Sequence, residues 1–416
     1  MVIRTLTTAA FMAAGLVAAS AAEQSTVSVL VEAGTIKYHE QIAAEYMRQH
    51  PDVKVQFRSP VSDYTELVRQ TLLAAQTKTL PDLGFYGNFT LRTLVERKVA
   101  QPLDPLLGSE TASAALGYDA AMLRLARFGG QQYGIPFATS LPVIFYNSEL
   151  VRRAGGSPDA LPTSWDDLLA LAAKINALGG GIDGLYIRME DAWNWQGLVF
   201  AAGGRMMSDD EKTVAFDGPE GRTATRILAR IGSEGKMPQI TWSQARQQFA
   251  AGRLGILIGS SAIAEGLKAN SRGVFEIKTA PYPNLTDVSK LPAGGNTGVI
   301  LASEPARARA AWDYLKFTTG PEAQTIMAKA TGYLPINRIA ITTPSLLGDF
   351  YASNPQAQAA IGEARYTTAW YAFPGPNGLR VEELITNSLL DVIYQRAEPD
   401  EALKKLTDQV TRMLRQ

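Results

Sequence analysis

The chain has 416 residues, which is enough for two domains and a sizeable core. Lysine plus arginine and aspartate plus glutamate number 40 each, so bulk charge favours neither a nucleic acid nor an acidic membrane as the partner. Cysteine is absent and the only histidines are His39 and His50, which argues against disulfides, a thiolate nucleophile, a metal site and a Ser-His-Asp triad, and we expect no cofactor.

The N-terminus is typical of a secretory signal peptide. Arg4 is the one early charge, and an apolar run at 6–19 is too short to span a bilayer comfortably. Small residues at 19–22 supply a cleavage site, and no cysteine is there for lipid attachment. A membrane anchor is the alternative, but no basic stop-transfer flank follows. We expect residues 1–22 to be removed and the mature protein to be free in the periplasm.

The first part of the mature chain alternates between strand and helix patterns. The alternation predicts strand, helix, strand, helix and strand at 26–31, 37–50, 53–58, 64–76 and 81–86. This order implies a parallel sheet with right-handed crossovers. Ligands bind beyond the carboxyl ends of such strands, so the candidate loops are 32–35, 59–64 and 87–89.

The stretch 133–175 reads as a chain that leaves one lobe and enters a second. An extended piece at 133–137 is followed by an apolar, β-rich run at 142–146. A helix is predicted from Ser148, and another begins near Trp165, where Thr163 or Ser164 can cap it.

Trp193 and Trp195 follow, and their spacing suits one face of an extended strand or a loop. Aromatic faces stack on sugar C–H surfaces, so Trp193 is a candidate ligand contact, with core packing as the alternative.

A buried strand is predicted at 254–259. The hydroxyls of Ser260 and Ser261 at its end can bond a ligand or cap the next helix.

A glycine-rich stretch at 292–298 is predicted to form a turn. Its backbone N–H groups can hold an anion or a hydroxyl, although it lacks the Gly-Lys-Ser/Thr end of a Walker A loop. A tight crossover between lobes is the alternative. Helical patterns follow, at 306–318, 322–331, 380–396 and 399–415.

Short motifs follow one another along the chain: Gly-Ile-Pro at 134–136, Pro-Val-Ile-Phe-Tyr-Asn at 142–147, Pro-Thr-Ser-Trp-Asp-Asp-Leu at 162–168, Phe-Ala-Ala-Gly-Arg-Leu-Gly-Ile at 249–256 and Thr-Gly-Tyr-Leu-Pro-Ile at 331–336. In this order they resemble the extracytoplasmic solute-binding proteins of ABC importers, the group that binds sugars and glycerol phosphate. The resemblance covers about residues 26–416. It implies an α/β, two-lobe periplasmic-binding-protein fold (type II) with a parallel-type sheet and flanking helices in each lobe. Residues 23–135 with 293–340 would form one lobe, and 136–292 with 341–416 the other.

The resemblance also implies a set of ligand contacts in the cleft between the lobes. They are Tyr64, Asn88, Ser140, Trp193, Ser260, Ser261, Gly295, Tyr333 and Arg380. An arginine, tyrosines and hydroxyls can together surround a phosphate or a ring of sugar hydroxyls. Asn88 stands where the family has an acidic residue, and Glu32 could supply the missing carboxylate.

The function that follows from the resemblance is capture of a carbohydrate-type solute: a sugar, a polyol or sn-glycerol 3-phosphate. The protein would be a monomer, would deliver the solute to an ABC permease and would catalyse nothing. The alternative is a secreted carbohydrate-active enzyme such as a glycosidase, which needs two carboxylates about 5 to 10 Å apart. The loop carboxylates Glu32, Asp63 and Asp191 are not paired by any motif.

Overall fold

The computed structural model describes residues 24–108, 110–287, 289–353 and 367–415, so the predicted signal peptide at 1–22 lies outside the described residues. The strands are β1 Ser25–Leu30, β2 Val53–Phe57, β3 Leu83–Gly87, β4 Arg127–Phe128, β5 Gln131–Gln132, β6 Ile135–Ser140, β7 Pro142–Asn147, β8 Asp183–Ile187, β9 Leu254–Ser260, β10 Ile277–Pro281, β11 Leu291–Ile300, β12 Leu334–Pro335 and β13 Thr367–Ala369.

The helices fall between and after these strands. They are α1 Ile36–Gln49, α2 Tyr64–Gln76, α3 Leu91–Glu96, α4 Asp104–Leu107, α5 Glu110–Ala115, α6 Ala120–Leu123, α7 Ser148–Arg153, α8 Trp165–Asn176, α9 Trp193–Ala201, α10 Pro219–Ser233, α11 Trp242–Ala250, α12 Ala264–Asn270, α13 Pro305–Thr318, α14 Pro321–Ala330, α15 Arg338–Thr342, α16 Asp349–Ala352, α17 Gly378–Ile393 and α18 Pro399–Leu414. Short 3₁₀ turns span Ala33–Thr35, Asn88–Thr90, Arg124–Ala126 and Ser261–Ile263, and a π turn spans Pro344–Gly348.

The first lobe is built on a seven-stranded sheet in the order β12-β6-β11-β3-β1-β2, with β13 beside β11. The predicted parallel order holds for β1, β2 and β3, whereas β11 runs antiparallel to both β3 and β6. Side chains alternate between two apolar clusters: Val29 and Phe85 pack in one, Leu30 and Tyr86 in the other. Because successive side chains of a strand point to opposite faces, this sheet is covered on both sides.

The second lobe is built on a four-stranded sheet in the order β10-β7-β9-β8. Strand β8 is parallel to β9, and β7 is antiparallel to β9 and β10. Helix α8 packs on β8, and α10 packs against α9, α17 and α18. Ser164 caps α8 as predicted, since its side chain accepts a hydrogen bond from the Asp167 amide. The C-terminal helices therefore complete the second lobe.

Leu141 alone separates β6 of the first sheet from β7 of the second. Its carbonyl accepts a hydrogen bond of 2.9 Å from the Ser261 amide, and its own amide donates to the Ser261 Oγ at 3.2 Å. The long strand β11 returns the chain to the first sheet beside β6. The two lobes are thus joined by strands that run directly from one sheet toward the other.

Two local predictions are wrong. Trp193 and Trp195 belong to a helix, α9, rather than to a strand or loop, and all nine of its residues are buried. A helix that is apolar on every side shows no 3.6-residue periodicity, which is why the sequence pattern missed it. The glycine-rich stretch 292–298 is part of strand β11 rather than a turn.

No helix in the described ranges is both long enough and apolar enough to cross a bilayer.

Candidate functional site

Tyr64 lies where the loop after β2 turns into α2. Asp63 caps the helix by accepting a hydrogen bond of 2.8 Å from the Glu66 amide. The Tyr64 ring packs on Gly87 at the end of β3, where a Cβ atom would lie 2.8 Å from the ring. Its hydroxyl accepts a hydrogen bond of 3.0 Å from the Asn296 side chain on β11. These contacts bring the carboxyl ends of β2 and β3 together beside β11.

Tyr38 and Tyr333 stand next to Tyr64. Their rings meet edge to face with centroids 6.4 Å apart. Burial raises the pKa of Tyr38 and of Tyr64 well above the ordinary value, and the neighbouring Tyr333 raises both further. Tyr38 is 5% exposed, and its hydroxyl, which lies near the side chains of Thr35 and Asn296, makes no hydrogen bond of good geometry with a described residue. Neither Tyr38 nor Asn296 was identified from the sequence.

Arg188 reaches the same place from the second lobe, directly after β8. Its guanidinium donates to the two carboxylate oxygens of Asp191 at 2.9 and 2.6 Å, and Glu190 lies 3.5 Å away. Burial raises the pKa of Tyr333, while Tyr64 and the Arg188 charge oppose the rise, so Arg188 is within electrostatic reach of that hydroxyl. Arg188 was not predicted as a site residue from the sequence, although residues at the carboxyl ends of parallel strands often contact ligands.

Phe89, Trp193 and Trp370 form an aromatic cluster where the two lobes meet. Phe89 and Trp370 stack with centroids 4.1 Å apart, and Trp193 lies 6.0 Å from Trp370. The Trp193 Nε1 donates to the Pro292 carbonyl at 3.1 Å. The Trp370 Nε1 is buried without an acceptor in the described part of the chain. Trp370, from the segment after β13, was also missed from the sequence.

Ser140 and Gly295 lie on the paired strands β6 and β11. At Gly294 an added Cβ would stand 2.6 Å from the Ser140 Oγ and 2.8 Å from the Trp193 ring, so the absent side chain leaves room between them. Gly295 has a φ of +103°, and a Cβ there would lie 2.0 Å from the Ala138 carbonyl oxygen. Gly295 is therefore required by the close approach of the two strands.

Asn88 is buried, and hydrogen bonds within the protein occupy its side chain. Its Nδ2 donates to the carbonyls of Ala293 and Gly294, each at 3.2 Å, and its Oδ1 accepts from the Thr297 hydroxyl at 2.8 Å. The structure thus gives Asn88 the task of holding β11 against the end of β3.

Ser260, Ser261 and Arg380 lie at the edge of this region. The Ser260 Oγ accepts from the Ala262 amide at 3.2 Å, which is the capping role foreseen as an alternative, and the Ser261 Oγ accepts from Leu141. Arg380, on the first turn of α17, is exposed and makes no ion pair with any described residue. Its neighbour Leu379 packs against the aromatic cluster.

Glu32 lies near the tyrosines, and Glu190 and Asp191 lie near Arg188. Burial raises the pKa of Glu32, and Asp63 adds to the rise. Burial likewise raises the pKa of Glu190, where Asp191 and Asp63 act in the same direction and Arg188 and Arg246 oppose them. Asp63 of the first lobe therefore lies within electrostatic reach of Glu32 and of Glu190 in the second lobe. Among the described residues no group of three or more His, Cys, Asp or Glu side chains could hold a metal ion.

Comparisons with known proteins agree with this architecture. A family model described as bacterial extracellular solute-binding protein matches residues 41–359. A binding protein of Brucella abortus (strain 2308) is 25% identical over 411 residues, covering 94% of this chain and 93% of that protein. UgpB from Mycobacterium tuberculosis, solved with glycerophosphocholine, superimposes with a TM-score of 0.83 at 22% identity over 94% of this chain and 98% of that one. The GacH receptor of Streptomyces glaucescens, solved with acarbose, gives a TM-score of 0.79 at 21% identity over 94% and 99%.

Proposed function

This chain belongs to the bacterial extracellular solute-binding proteins, and from that membership we propose that it captures a carbohydrate-type solute and delivers it to the permease of an ABC importer. The solute is a sugar, a polyol or a glycerol phosphate compound, bound between the two lobes. The glycerophosphocholine and acarbose bound by its structural neighbours fall in this range. The mature protein acts outside the cytoplasm, in the periplasm, as a monomer.

The observation that carries the proposal is a set of buried polar atoms without well-formed hydrogen bonds beside Tyr64 and the aromatic cluster. The Trp370 Nε1 is such an atom among the described residues, and the Tyr38 hydroxyl and the Asn296 Oδ1, whose side chains lie near each other, also lack a hydrogen bond of good geometry. Leaving a buried donor or acceptor unpaired costs about 1–3 kcal/mol, so native proteins rarely tolerate several in one place. A polyhydroxylated solute would supply hydrogen-bond partners to all three.

The aromatic cluster suits the other side of such a solute. Phe89, Trp193 and Trp370 are buried against one another, and we infer that they offer an apolar surface to the C–H face of a sugar ring when the lobes open. The tyrosines and Asn296 then bind the hydroxyls on the opposite side. The proposed arrangement uses Tyr64, Tyr333, Ser140 and Trp193, which the resemblance implies as ligand contacts.

Capture works through contacts with both lobes. A solute that touches the Tyr64 group on one lobe and Trp193 and Arg188 on the other interacts more strongly with the closed state than with the open one. That difference in affinity is what shifts the population toward closure. The strand crossings around Leu141 and Gly295 are where the lobes hinge.

Hydrolysis is the competing function, because Asp63 lies within electrostatic reach of both Glu32 and Glu190. The Arg188–Asp191 ion pair keeps Asp191 engaged, and we infer that no pair acts as acid and nucleophile. Incubating the protein with mono- and disaccharides and finding cleaved product would favour the enzyme instead.

Thermal melts of the mature protein, refolded to strip bound solute, test the proposal. The panel holds glycerol 3-phosphate, glycerophosphodiesters, mono- and disaccharides and polyols. A solute at a hundred times its dissociation constant adds about 2.7 kcal/mol to the free energy of unfolding. Tyr64→Phe should reduce that shift. The control Tyr133→Phe should not, since the Tyr133 hydroxyl bonds only Gln131 outside the site. A protein that shifts with nothing and co-purifies with nothing would contradict the proposal.

A further inference from the structure

Trp370 is carried by the second lobe. The next residue, Tyr371, is bonded twice to Gln196 of helix α9: its amide donates to the Gln196 Oε1 at 3.0 Å, and its carbonyl accepts from the Gln196 Nε2 at 3.2 Å. Phe373 is buried in the apolar core of the same lobe, as is Leu291, the first residue of β11 to pair with β13. We therefore expect the Trp370 indole to move with the second lobe when the lobes part.

Phe89 is carried by the first lobe, on the 3₁₀ turn that follows β3. Its ring stacks on that of Trp370 with centroids 4.1 Å apart and planes inclined by 28°, so no other atom fits between them. Both residues are 6% exposed, and Tyr64 and Leu379 pack around the pair. An aromatic contact made entirely by the chain thus joins the lobes beside Tyr64 and Trp193, two of the implied ligand contacts.

The indoles of the protein differ in their hydrogen bonding. The Trp193 Nε1 donates to the Pro292 carbonyl at 3.1 Å, whereas the Trp370 Nε1 is buried without an acceptor in the described ranges. The Trp165 Nε1 is unpaired as well, but Trp165 packs inside the second lobe against Tyr282. The Trp370 donor lies instead at the boundary between the lobes, where a ligand oxygen can satisfy it once the two stacked rings part.

We propose that the Phe89–Trp370 stack is a closing contact that the solute replaces, and that the solute is a cyclic sugar whose ring lies between these two side chains. The inference rests on the proposed function and narrows its solute class. On binding, Phe89 packs on one face of the sugar and Trp370 on the other, and the Trp370 Nε1 donates to a sugar oxygen. Without the sugar, the two rings close on each other and hold the lobes together.

A six-membered sugar ring is the solute that best replaces the stack. The apolar surface that Phe89 and Trp370 bury against each other must be buried again when the lobes close on a solute, because otherwise its burial free energy is lost. A pyranose with equatorial hydroxyls presents C–H groups on both faces of its ring, so it can cover both side chains. An open-chain polyol or glycerol 3-phosphate has no such face and would leave the aromatic rings partly exposed.

Small-angle X-ray scattering of the mature protein, stripped of solute, tests the closing contact. Trp370→Ala removes the stack and should give a larger radius of gyration than the wild type, and Phe89→Ala should do the same from the other lobe. Trp370→Phe keeps a ring against Phe89 and should scatter like the wild type. If both alanine variants are folded by circular dichroism and scatter like the wild type, the inference is wrong.

Isothermal titration tests the solute class. Glucose is compared with sorbitol, the open-chain polyol obtained by reducing it, and cellobiose with glycerol 3-phosphate. The cyclic member of each pair should bind at least about tenfold more tightly. Trp370→Phe should lose about tenfold in affinity for the sugar, because the Nε1 donor is missing. Trp165→Phe is the matched control, since it removes an equally unpaired indole donor inside one lobe, and it should bind like the wild type.

Any solute that co-purifies with the protein, identified by mass spectrometry before stripping, should likewise be cyclic. Equal or tighter binding of sorbitol or glycerol 3-phosphate, an acyclic co-purifying solute, or undiminished affinity in Trp370→Phe would overturn the inference while upholding solute binding. Binding of none of these solutes, with nothing co-purifying, would remove the proposed function and the inference with it.

Discussion

Arg92 on the first lobe and Glu211 on the second form a two-armed ion pair across the lobe boundary. The Arg92 Nη1 and Nη2 lie 2.7 and 2.6 Å from the two Glu211 carboxylate oxygens. Arg92 also bonds Glu96 on its own helix at 2.7 Å and the Ala372 carbonyl at 3.3 Å. Because the Arg92 side chain is 18% exposed and that of Glu211 is 36% exposed, the pair is screened only in part. It holds the lobes together at one side of their contact.

Arg92→Ala should therefore loosen the solute-free protein. We expect the free energy of unfolding to fall by about 1 kcal/mol, above the usual value for exposed pairs, because two charge-assisted hydrogen bonds across the boundary are lost. We also expect a larger radius of gyration in small-angle X-ray scattering, since the lobes would open more often.

The control is Arg48→Ala, which removes an exposed pair with Glu45 inside helix α1. That change should alter neither the radius of gyration nor the unfolding midpoint by a measurable amount. If the two variants scatter alike, the Arg92 pair does not restrain the lobes.

Gly295→Ala should damage the fold at the crossing between lobes. Its φ of +103° is strained for any side chain, and the new methyl would lie 2.0 Å from the Ala138 carbonyl oxygen. The two strands would have to separate, so we expect a loss of more than about 3 kcal/mol in urea unfolding, or no soluble protein.

Gly129→Ala separates the cost of a positive φ from the cost of the steric contact with Ala138. Gly129 also has a positive φ, +55°, but nothing lies within 4 Å of the added methyl. Its cost should be the backbone penalty alone, about 1 kcal/mol. Equal losses for the two variants would show that the contact with Ala138 contributes little.

The sequence predicted the elements of the fold well because their signals are local. The buried face of α1, with Tyr38, Ile42 and Tyr46, follows from periodicity, and the start of α8 follows from its serine cap. Whether a strand runs parallel or antiparallel to its neighbours is not set by local sequence. The antiparallel runs of β7 and β11 depend on partners far along the chain, so an alternating pattern could not reveal them.

Residues of the proposed site could be predicted only where a recognisable motif in their own segment marks them. Tyr64 and Tyr333 lie at the ends of recognisable elements, and the structure does bring them together with Tyr38. Arg188 and Trp370 join the proposed site because β8 ends within electrostatic reach of Tyr333 and β13 pairs with β11, both consequences of the tertiary fold. The burial of the Asn296 side chain depends on the tertiary fold, so no local sequence pattern predicts it.

Glu382 should make the protein less stable as the pH rises from acid to neutral. Burial raises its pKa from the ordinary 4.5 to about 8, with Asp191 adding to the rise, while its hydrogen bond from Gln196 at 2.9 Å opposes it. The folded state keeps the proton until about pH 8, whereas the unfolded chain releases it near 4.5. The contribution of Glu382 to the free energy of unfolding is therefore complete below pH 4.5. It falls by about 1.4 kcal/mol per pH unit between pH 4.5 and about pH 8.

Glu382→Gln removes this titration while keeping an oxygen for Gln196. Urea unfolding midpoints measured between pH 5 and 8 should decline less steeply in the variant than in the wild type. Glu383→Gln, at the exposed neighbouring position on α17, should keep the wild-type slope. Parallel slopes for all three proteins would mean that Glu382 is ionised in the folded state.

His39 should make the protein less stable in acid, because its pKa is lowered in the folded state, whereas that of Glu382 is raised. Its ring lies among Tyr38, Phe85 and Phe137, with centroids 4.8, 4.4 and 5.0 Å away, and neither ring nitrogen has a partner among the described residues. Burial lowers the pKa of His39 from 6.5 to about 3. Between these values the unfolded chain binds a proton that the folded one does not. The contribution of His39 to stability is therefore complete above pH 6.5 and is lost as the pH falls toward 3.

His39→Leu, close to histidine in volume, should cost less than about 1.5 kcal/mol at pH 7 and should become the more stable protein near pH 4. His50→Leu is the control, because His50 is exposed at the end of α1, and its unfolding midpoint should follow the wild type at both pH values. The measurement is the difference between the midpoints at pH 7 and pH 4 for each protein. A wild-type difference retained in His39→Leu would mean that carboxylates elsewhere, rather than this buried imidazole, set the acid limit of the fold.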